Sequence, residues 1–160
     1  MILRSDFNVE DAFRIFELDG RGYLTDLDLK YGLNALDIFP TSEEISLFMK
    51  RFDVRNEGVL SYTNFYGVFN PLDREYSRML ELRLPATYVS RYSRADVFLP
   101  TTKLYMQNLL KSILRNEARV EVWRQKLSRI VRFNTRIVFE KIDRIDKNYA
   151  SDTDVIFLII

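Results

Sequence analysis

Acidic side chains recur at alternate positions around short turns of this chain, a spacing suited to binding a hard divalent cation. The first turn spans residues 17–28 and the second spans 53–64, and each has glycine at its sixth position, Gly22 or Gly58. Such a turn directs oxygen atoms from several of its residues at one ion. A third turn, 143–154, has the same layout with Asn148 at its sixth position. The acidic residues at candidate ligand positions are Glu17, Asp19, Asp28, Asp53, Glu57, Asp143 and Asp154.

Basic side chains stand in all three turns where ligands would be expected. Arg21 and Lys147 occupy the fifth position of the first and third turns, and Arg55 occupies the third position of the second. A permanent positive charge competes with a divalent cation, and no turn has the glutamate at its twelfth position that would supply two oxygens. We therefore expect no metal site at these positions, and we expect Arg21 and Arg55 to pair with acids of their own turns.

The first two turns begin 36 residues apart (53 − 17), and each lies between segments whose apolar residues recur with helical spacing. On these features residues 6–70 resemble a pair of EF-hands, and residues 134–156 resemble a third, unpaired EF-hand. The resemblance implies an all-α fold of helix–loop–helix units, with calcium as the ligand of intact loops. Leu24 and Leu60, at the eighth position of each loop, should pair as a two-residue antiparallel strand.

We predict three segments: an EF-hand pair at 6–70, a connector containing prolines and aromatic residues at 71–100, and a helical segment with the third EF-hand-like unit at 101–160. Side chains able to cap helices precede several apolar segments. They are Asn8, Thr41 with Glu44 in a capping box, Thr101 or Thr102, Asn116 and Asn134. The aromatic residues expected in the core of the pair are Phe13, Phe16, Phe48, Phe52 and Phe65.

Composition excludes the commonest catalytic and structural chemistries. The 160 residues include no cysteine and no histidine, so disulfides, thiolate metal sites, histidine bases and the common triads are absent. We therefore predict that the protein is not an enzyme and binds no small-molecule substrate. No apolar stretch has the ~20 residues of a membrane span, and the start resembles neither a signal nor a transit peptide. A cytoplasmic location and no membrane association are expected.

Charge is distributed unevenly along the chain. By count, residues 1–70 have 7 basic and 12 acidic side chains, whereas residues 71–142 have 15 basic and 7 acidic ones. Eleven of those fifteen are arginine, which suits bidentate contact with carboxylates. A solvated helical face is one interpretation of this run, and a protein partner with an acidic surface, such as tubulin, is the other. Nucleic acid is not expected, because no aromatic and basic RNA-binding motif is present.

After Asp154 the chain has six apolar residues, 155–160. They can bury against the protein's own helices, insert into another protein, or lead into further chain. The predicted partner-binding residues are Arg115, Arg119, Arg129, Ile156, Phe157 and Leu158.

A looser similarity to divergent EF-hand proteins of protist cilia and cytoskeletons implies docking on microtubules or other scaffolds. We therefore predict a structural adaptor that works without calcium, located on the cytoskeleton and first of all in the ciliary axoneme. A calcium sensor is the alternative. A sensor exposes a groove rich in methionine, but the four methionines of this chain are scattered.

Overall fold

The computed structural model describes residues 4–86 and 94–159, and for residues 157–159 it describes the backbone alone. Helices form nearly all of the regular structure in these ranges, which confirms the all-α prediction. The elements in chain order are α1 (Val9–Phe16), β1 (Tyr23–Leu24), α2 (Asp26–Ala35), α3 (Ser42–Phe52), β2 (Leu60–Ser61), α4 (Tyr62–Phe69), α5 (Arg74–Glu81), a 3-10 turn (Arg94–Val97), α6 (Pro100–Ser128), α7 (Thr135–Ile142) and α8 (Asp152–Ile159).

The contacts of the chain group it into two compact units, Met1–Val120 and Glu121–Ile160. The units meet between residues 120 and 121, whereas the sequence predicts segment boundaries at 70/71 and 100/101. Those boundaries stay a prediction. The first unit contains the segment predicted to be an EF-hand pair, and the second contains the segment predicted to be a third EF-hand-like unit.

The helices of the first unit begin at side-chain caps that the sequence specifies. The Asn8 side chain accepts the N–H of Asp11 at 2.8 Å, and α1 starts at the next residue. Thr41 and Glu44 form the predicted capping box at the start of α3. Each cap satisfies N–H groups that the first turn of a helix leaves without a backbone acceptor.

Two short strands join the two loops of the pair. Leu24 pairs with Leu60 and Tyr23 pairs with Ser61 in antiparallel register. Leu24 and Leu60 are both fully buried, so the strand pair also belongs to the core. The predicted two-residue pairing is confirmed.

An aromatic core lies between the helices of the pair. The ring of Phe65 meets the rings of Phe13 and Phe16 edge-on, with centroid distances of 5.3 and 5.2 Å. These three residues and Phe48 are buried, and Phe52 is partly buried with its ring 4.8 Å from that of Phe48. The five aromatic residues assigned to the core from sequence therefore pack there.

Gly32 lets two helices of the first EF-hand approach closely. A Cβ atom at this position of α2 would lie 2.0 Å from Cδ1 of Phe16, the last residue of α1. Phe16 is 1% exposed and cannot swing into solvent without opening the core. The glycine is required here for space, since its backbone is ordinary helix.

Helix α6 is one continuous helix of 29 residues. The expected division at Asn116 and the expected cap at Thr101 or Thr102 were wrong. Pro100 occupies the first helical position, where its missing N–H costs nothing. No glycine or proline follows before Ser128, and a single asparagine costs too little helix propensity to break the ladder.

The first half of α6 completes the core of the first unit. Thr102, Met106, Leu110 and Leu114 are all buried, and the three apolar ones belong to the same cluster as the core of the EF-hand pair. They recur every four residues, so they lie on one face of the helix. The first unit is therefore larger than the EF-hand pair alone.

The second unit contains α7, the third loop and α8. The Asn134 side chain accepts the N–H of Arg136 at 2.9 Å and caps α7, as predicted. Asn148 adopts a left-handed conformation with φ of 64°, which fits its position in place of the turn glycine. No helix among the described residues is long and apolar enough to cross a membrane.

Candidate functional site

In the first loop the guanidinium group of Arg21 lies against two acidic side chains of the same loop. Its Nη2 atom is 2.6 Å from Oδ2 of Asp28 and 3.4 Å from Oδ2 of Asp19. These acids stand at positions twelve and three, both ligand positions in an intact EF-hand. Glu17, at position one, accepts the backbone N–H groups of Asp19 and Arg21 at 3.2 and 2.7 Å. The predicted pairing of Arg21 within its own loop is present.

The negative charges of Asp28 and Asp19 stabilise the protonated form of Arg21. Burial lowers the pKa of Arg21, but the negative charges of Asp28 and Asp19 outweigh that effect and raise the pKa above its ordinary value. The guanidinium carbon also lies 5.2 Å from the ring centre of Tyr23. Since arginine is always protonated in proteins, the loop contains a permanent cation.

The side chain at position twelve caps the exiting helix in the first two loops. Asp28 Oδ2 accepts the N–H and the hydroxyl of Thr25 at 2.8 and 2.7 Å. Asn64 Oδ1 accepts the same two groups of Ser61 at 3.3 and 2.5 Å. Both pairs are reciprocal capping boxes, so the residue that would coordinate an ion is already used to start a helix.

The cation of the second loop, Arg55, forms no comparably close ion pair within that loop. Asp53 accepts the backbone N–H groups of Glu57 and Gly58 at 3.0 and 2.7 Å. Arg55 lies 3.9 Å from Glu57, and its side chain is 81% exposed. The predicted pairing of Arg55 is therefore a long contact in solvent, of a kind that adds little stability.

The third loop repeats the arrangement of the first. Lys147 Nζ is 2.6 Å from Oδ2 of Asp154, so the cation at position five again bonds to the acid at position twelve. Hydrogen bonds from Lys147 and Ser151 hold the pKa of Asp154 well below its ordinary value. Asp143 accepts the N–H groups of Lys147 and Asn148 at 2.9 and 2.6 Å. Sequence reasoning noted the charge of Lys147 but missed this pairing.

The residues present do not fit the donor set of an EF-hand calcium site. In the first and third loops the carboxylate at position twelve is bonded to a cation of its own loop. In the second loop position twelve is an amide, and position three is an arginine. Among residues 4–86 and 94–159, no three acidic side chains converge in a way that could hold a metal ion. Instead, an ion pair within the loop joins positions five and twelve in the first and third loops.

Helix α6 covers the EF-hand pair through polar contacts as well as through its buried face. Gln107 Nε2 donates to the backbone oxygen of Leu36 at 2.9 Å, at the end of α2. Arg51 of α3 lies 3.6 Å from Glu117. An amphipathic helix laid against an apolar groove is a common mode of peptide recognition, and here the helix belongs to the same chain.

Two arginines after α5 donate hydrogen bonds to backbone oxygens at the two ends of α1, contacts that were not predicted from the sequence. Arg83 Nη1 donates to the backbone oxygen of Phe7 at 2.7 Å, just before the helix. Arg94 Nη1 donates to the backbone oxygens of Arg14 and Glu17 at 2.8 and 2.6 Å. Those oxygens lie where the end of a helix leaves carbonyl groups without partners. Nothing in the sequence spacing distinguishes these two arginines from solvated ones.

The predicted partner-binding residues do not form one described cluster. Arg115 and Arg119 are exposed on α6, and Arg129 is exposed one residue beyond its end. Ile156 is 56% exposed on α8. The side chains of Phe157 and Leu158 lie outside the described part of the chain, as do Tyr88 and Tyr92 of the predicted connector.

Comparison with known proteins gives matches over less than half of the chain. Calcium-binding protein 8 of Rattus norvegicus and of Homo sapiens is 25% identical over 63 residues, which is 39% of this chain and 24% of that protein. Putative calcium-binding protein CML23 of Oryza sativa subsp. japonica is 35% identical over 57 residues, covering 36% of this chain and 38% of that protein. The chain thus spans 24% to 38% of the length of these relatives.

A family model described as an EF-hand domain pair matches residues 6–70. The same residues contain the two loops, their four flanking helices and the strand pairing of Leu24 with Leu60. Residues 6–70 therefore have both the sequence and the elements of an EF-hand domain pair.

Proposed function

We propose that this protein is a non-catalytic adaptor whose EF-hands maintain their structure without calcium and dock in a larger assembly. The observation that carries the proposal is the ion pair of 2.6 Å between Arg21 and Asp28. Because this cation is part of the chain, the carboxylate of Asp28 has a cationic partner without an ion from solution. Lys147 and Asp154 repeat the device at 2.6 Å in the third loop. The absence of cysteine and histidine supports a role other than catalysis.

The position of α6 supports an adaptor over a sensor. A calcium sensor changes from a closed pair of helices to an open one, which exposes an apolar groove to its target. In this protein Met106, Leu110 and Leu114 of α6 are already buried in the cluster that contains the core of the pair. Opening the pair would expose this face to water, at a cost that grows with its apolar area.

Calcium sensing is the second candidate. Its support comes from the relatives, which are named as calcium-binding proteins, and from the second loop. There Asp53 and Glu57 supply carboxylates at positions one and five. Nη1 of Arg55 lies 3.9 Å from Oε1 of Glu57, and the Arg55 side chain is exposed to solvent.

Titration calorimetry with calcium separates the two candidates, with magnesium as the comparison ion. The adaptor proposal expects no heat of binding to the wild-type protein at micromolar calcium. Replacing the internal cation and restoring the long carboxylate, in Arg21→Asp with Asp28→Glu, should create measurable calcium affinity. Lys30→Asp is the control, because Lys30 is an exposed cation of α2 outside the loops. A micromolar dissociation constant for the wild-type protein would refute the adaptor proposal and establish a sensor.

As partner we propose a protein with an acidic surface, tubulin in a cytoplasmic ciliary axoneme being the first to test. The support is the excess of 15 basic over 7 acidic side chains in residues 71–142, together with the exposure of Arg115, Arg119 and Arg129. The proposal includes no membrane, nucleic acid or small-molecule ligand.

Co-sedimentation with microtubules or extracted axonemes tests this choice. The wild-type protein should pellet with the polymer, and increasing salt should release it, because screening weakens charge contacts. Changing Arg115, Arg119 and Arg129 to glutamate should reduce pelleting, and removing residues 155–160 tests the apolar tail. A wild-type protein that stays in the supernatant contradicts tubulin as the partner.

A further inference from the structure

We infer that residues 121–132, called the basic ridge below, form a docking surface for an acidic amphipathic helix of a partner protein. The inference rests on the adaptor proposal, for which it names the surface and the chemistry of the partner. The ridge comprises the end of α6 and the turn that follows it, and it lies within the second unit.

The basic ridge has no core of its own. Between Leu114 and Asp143 no residue is buried, although many of the residues there are apolar. Trp123 is 62% exposed, Ile130 is 54% exposed and Val131 is fully exposed. Helices in proteins are stabilised mostly by packing an apolar face, and contiguous exposed apolar patches mark interaction sites. The ridge therefore has the character of a surface that another molecule covers.

The apolar residues of the ridge have the spacing of anchors for a helical partner. Trp123, Leu127 and Ile130 are separated by four and three residues, the spacing that places side chains on one face. The N–H of Ile130 donates to the backbone oxygen of Leu127 at 3.1 Å, so the last turn continues tightly beyond the end of α6. Tryptophan is one of the residue types enriched among strong interface anchors.

The charge around these anchors selects an acidic partner. Residues 122–139 contain no acidic side chain. Lys126, Arg129 and Arg132 form no ion pair with any acid in the described ranges 4–86 and 94–159. In paired helices, residues flanking the apolar stripe set the choice of partner through opposite charge. Arginine adds bidentate contact with carboxylates, so a helix with glutamate or aspartate beside its apolar stripe fits this ridge.

The same charges argue against two other occupants. A second copy of the chain would bring the cations of two ridges together, and like charges oppose such pairing. A lipid bilayer would have to accept Lys126 within the apolar stripe, because its Nζ lies 4.2 Å from the ring centre of Trp123. A carboxylate beside that tryptophan would pair with the ammonium group directly.

Fluorescence of the 160-residue chain tests the inference, because Trp123 is its single tryptophan. The probe is a synthetic helix of about three heptads with leucine in the stripe and glutamate at the flanking positions. A matched peptide with lysine at those flanking positions is the comparison. The acidic peptide should shift the emission to shorter wavelength and saturate, and the basic peptide should bind at least about tenfold more weakly.

Charge reversal at the ridge leaves the fluorophore in place. Changing Lys126, Arg129 and Arg132 together to glutamate should weaken binding of the acidic peptide at least about tenfold. The matched control reverses Lys50, Arg74 and Arg78, three exposed cations of the first unit, and should bind as the wild type does. Circular dichroism of each variant establishes that the helices remain.

Four results would overturn the inference. They are an emission unchanged by the acidic peptide, equal binding of both peptides, a larger shift on phosphatidylserine-containing vesicles than on the peptide, and self-association of the wild-type protein through the ridge. A positive calcium titration would refute the adaptor proposal but leave peptide binding by the ridge intact. If the acidic peptide does not bind and calcium titration shows no heat of binding, the proposed docking surface is refuted and the adaptor proposal is not.

Discussion

Replacing Leu110 by alanine tests whether α6 is part of the core of the EF-hand pair. Leu110 is 0% exposed and belongs to the buried cluster that includes Phe16, Phe48 and Phe65. Truncating a fully buried leucine removes its transfer free energy and leaves a cavity, at a combined cost of roughly 2–5 kcal/mol. Taking about 3 kcal/mol, and about 2–4 °C per kcal/mol for a chain of this size, the midpoint of thermal unfolding should fall by roughly 6–12 °C.

Leu104 supplies the control on the same helix. Its side chain is 51% exposed, so the same substitution removes few buried contacts and should change stability by less than about 1 kcal/mol. Both substitutions put alanine in a helix, so their helix propensities match and the difference between the variants measures packing. Circular dichroism during thermal and urea unfolding gives both free energies.

The outcome that refutes this reasoning is equal loss of stability in the two variants, or a loss below about 1 kcal/mol for Leu110→Ala. Either result would mean that α6 does not pack on the pair in solution. The EF-hand pair would then be free to take a helix from another molecule. The position of α6 would then no longer favour an adaptor over a sensor.

Two further predictions concern backbone space and acid. Gly32→Ala should lower the free energy of unfolding by about 1–3 kcal/mol, because the new methyl group lies 2.0 Å from a ring atom of Phe16. Gly67→Ala, with no atom within 4 Å, should instead stabilise α4 by up to about 1 kcal/mol, and equal effects in thermal unfolding would contradict this. Burial raises the pKa of Asp6, but hydrogen bonds led by the N–H of Leu99 outweigh it and lower the pKa below 3.8. The contribution of Asp6 is therefore present above pH ~4 and lost as the pH falls below that value. Asp6→Asn should reduce this acid dependence, measured as urea midpoints at about pH 3 and about pH 7, and an unchanged dependence would show that Asp6 is not its source.

Much of the first unit could be predicted because its signals are local. The cap at Asn8, the capping box of Thr41 with Glu44, and the loop glycines each act within a few residues of the chain. The register of Leu24 with Leu60 followed from the equal positions of the two leucines in their loops. Such features depend on short-range geometry that sequence spacing determines directly.

The rest depended on contacts between distant segments. Nothing near Gln107 indicates that it will bond to Leu36, 71 residues away. Continuity of α6 through Asn116 depends on weak propensities that sequence reasoning judged in the wrong direction. Among the candidate site residues, the pairing of Arg21 with an acid of its own loop was predicted because a loop without a bound ion needs another charge to offset its acids. Lys147 also stands among acids of its own loop, so its pairing with Asp154 could have been predicted in the same way.

The covalent attachment of Arg21 to its loop changes how the stability of that loop scales with conditions. An ion bound from solution stabilises a protein by an amount that depends on its free concentration and falls on dilution. The closure of Arg21 on Asp28 is a unimolecular equilibrium at 2.6 Å, with no second species whose supply could vary. At a given ionic strength, the contribution of this salt bridge to the stability of the loop is therefore independent of the concentrations of protein and of free calcium.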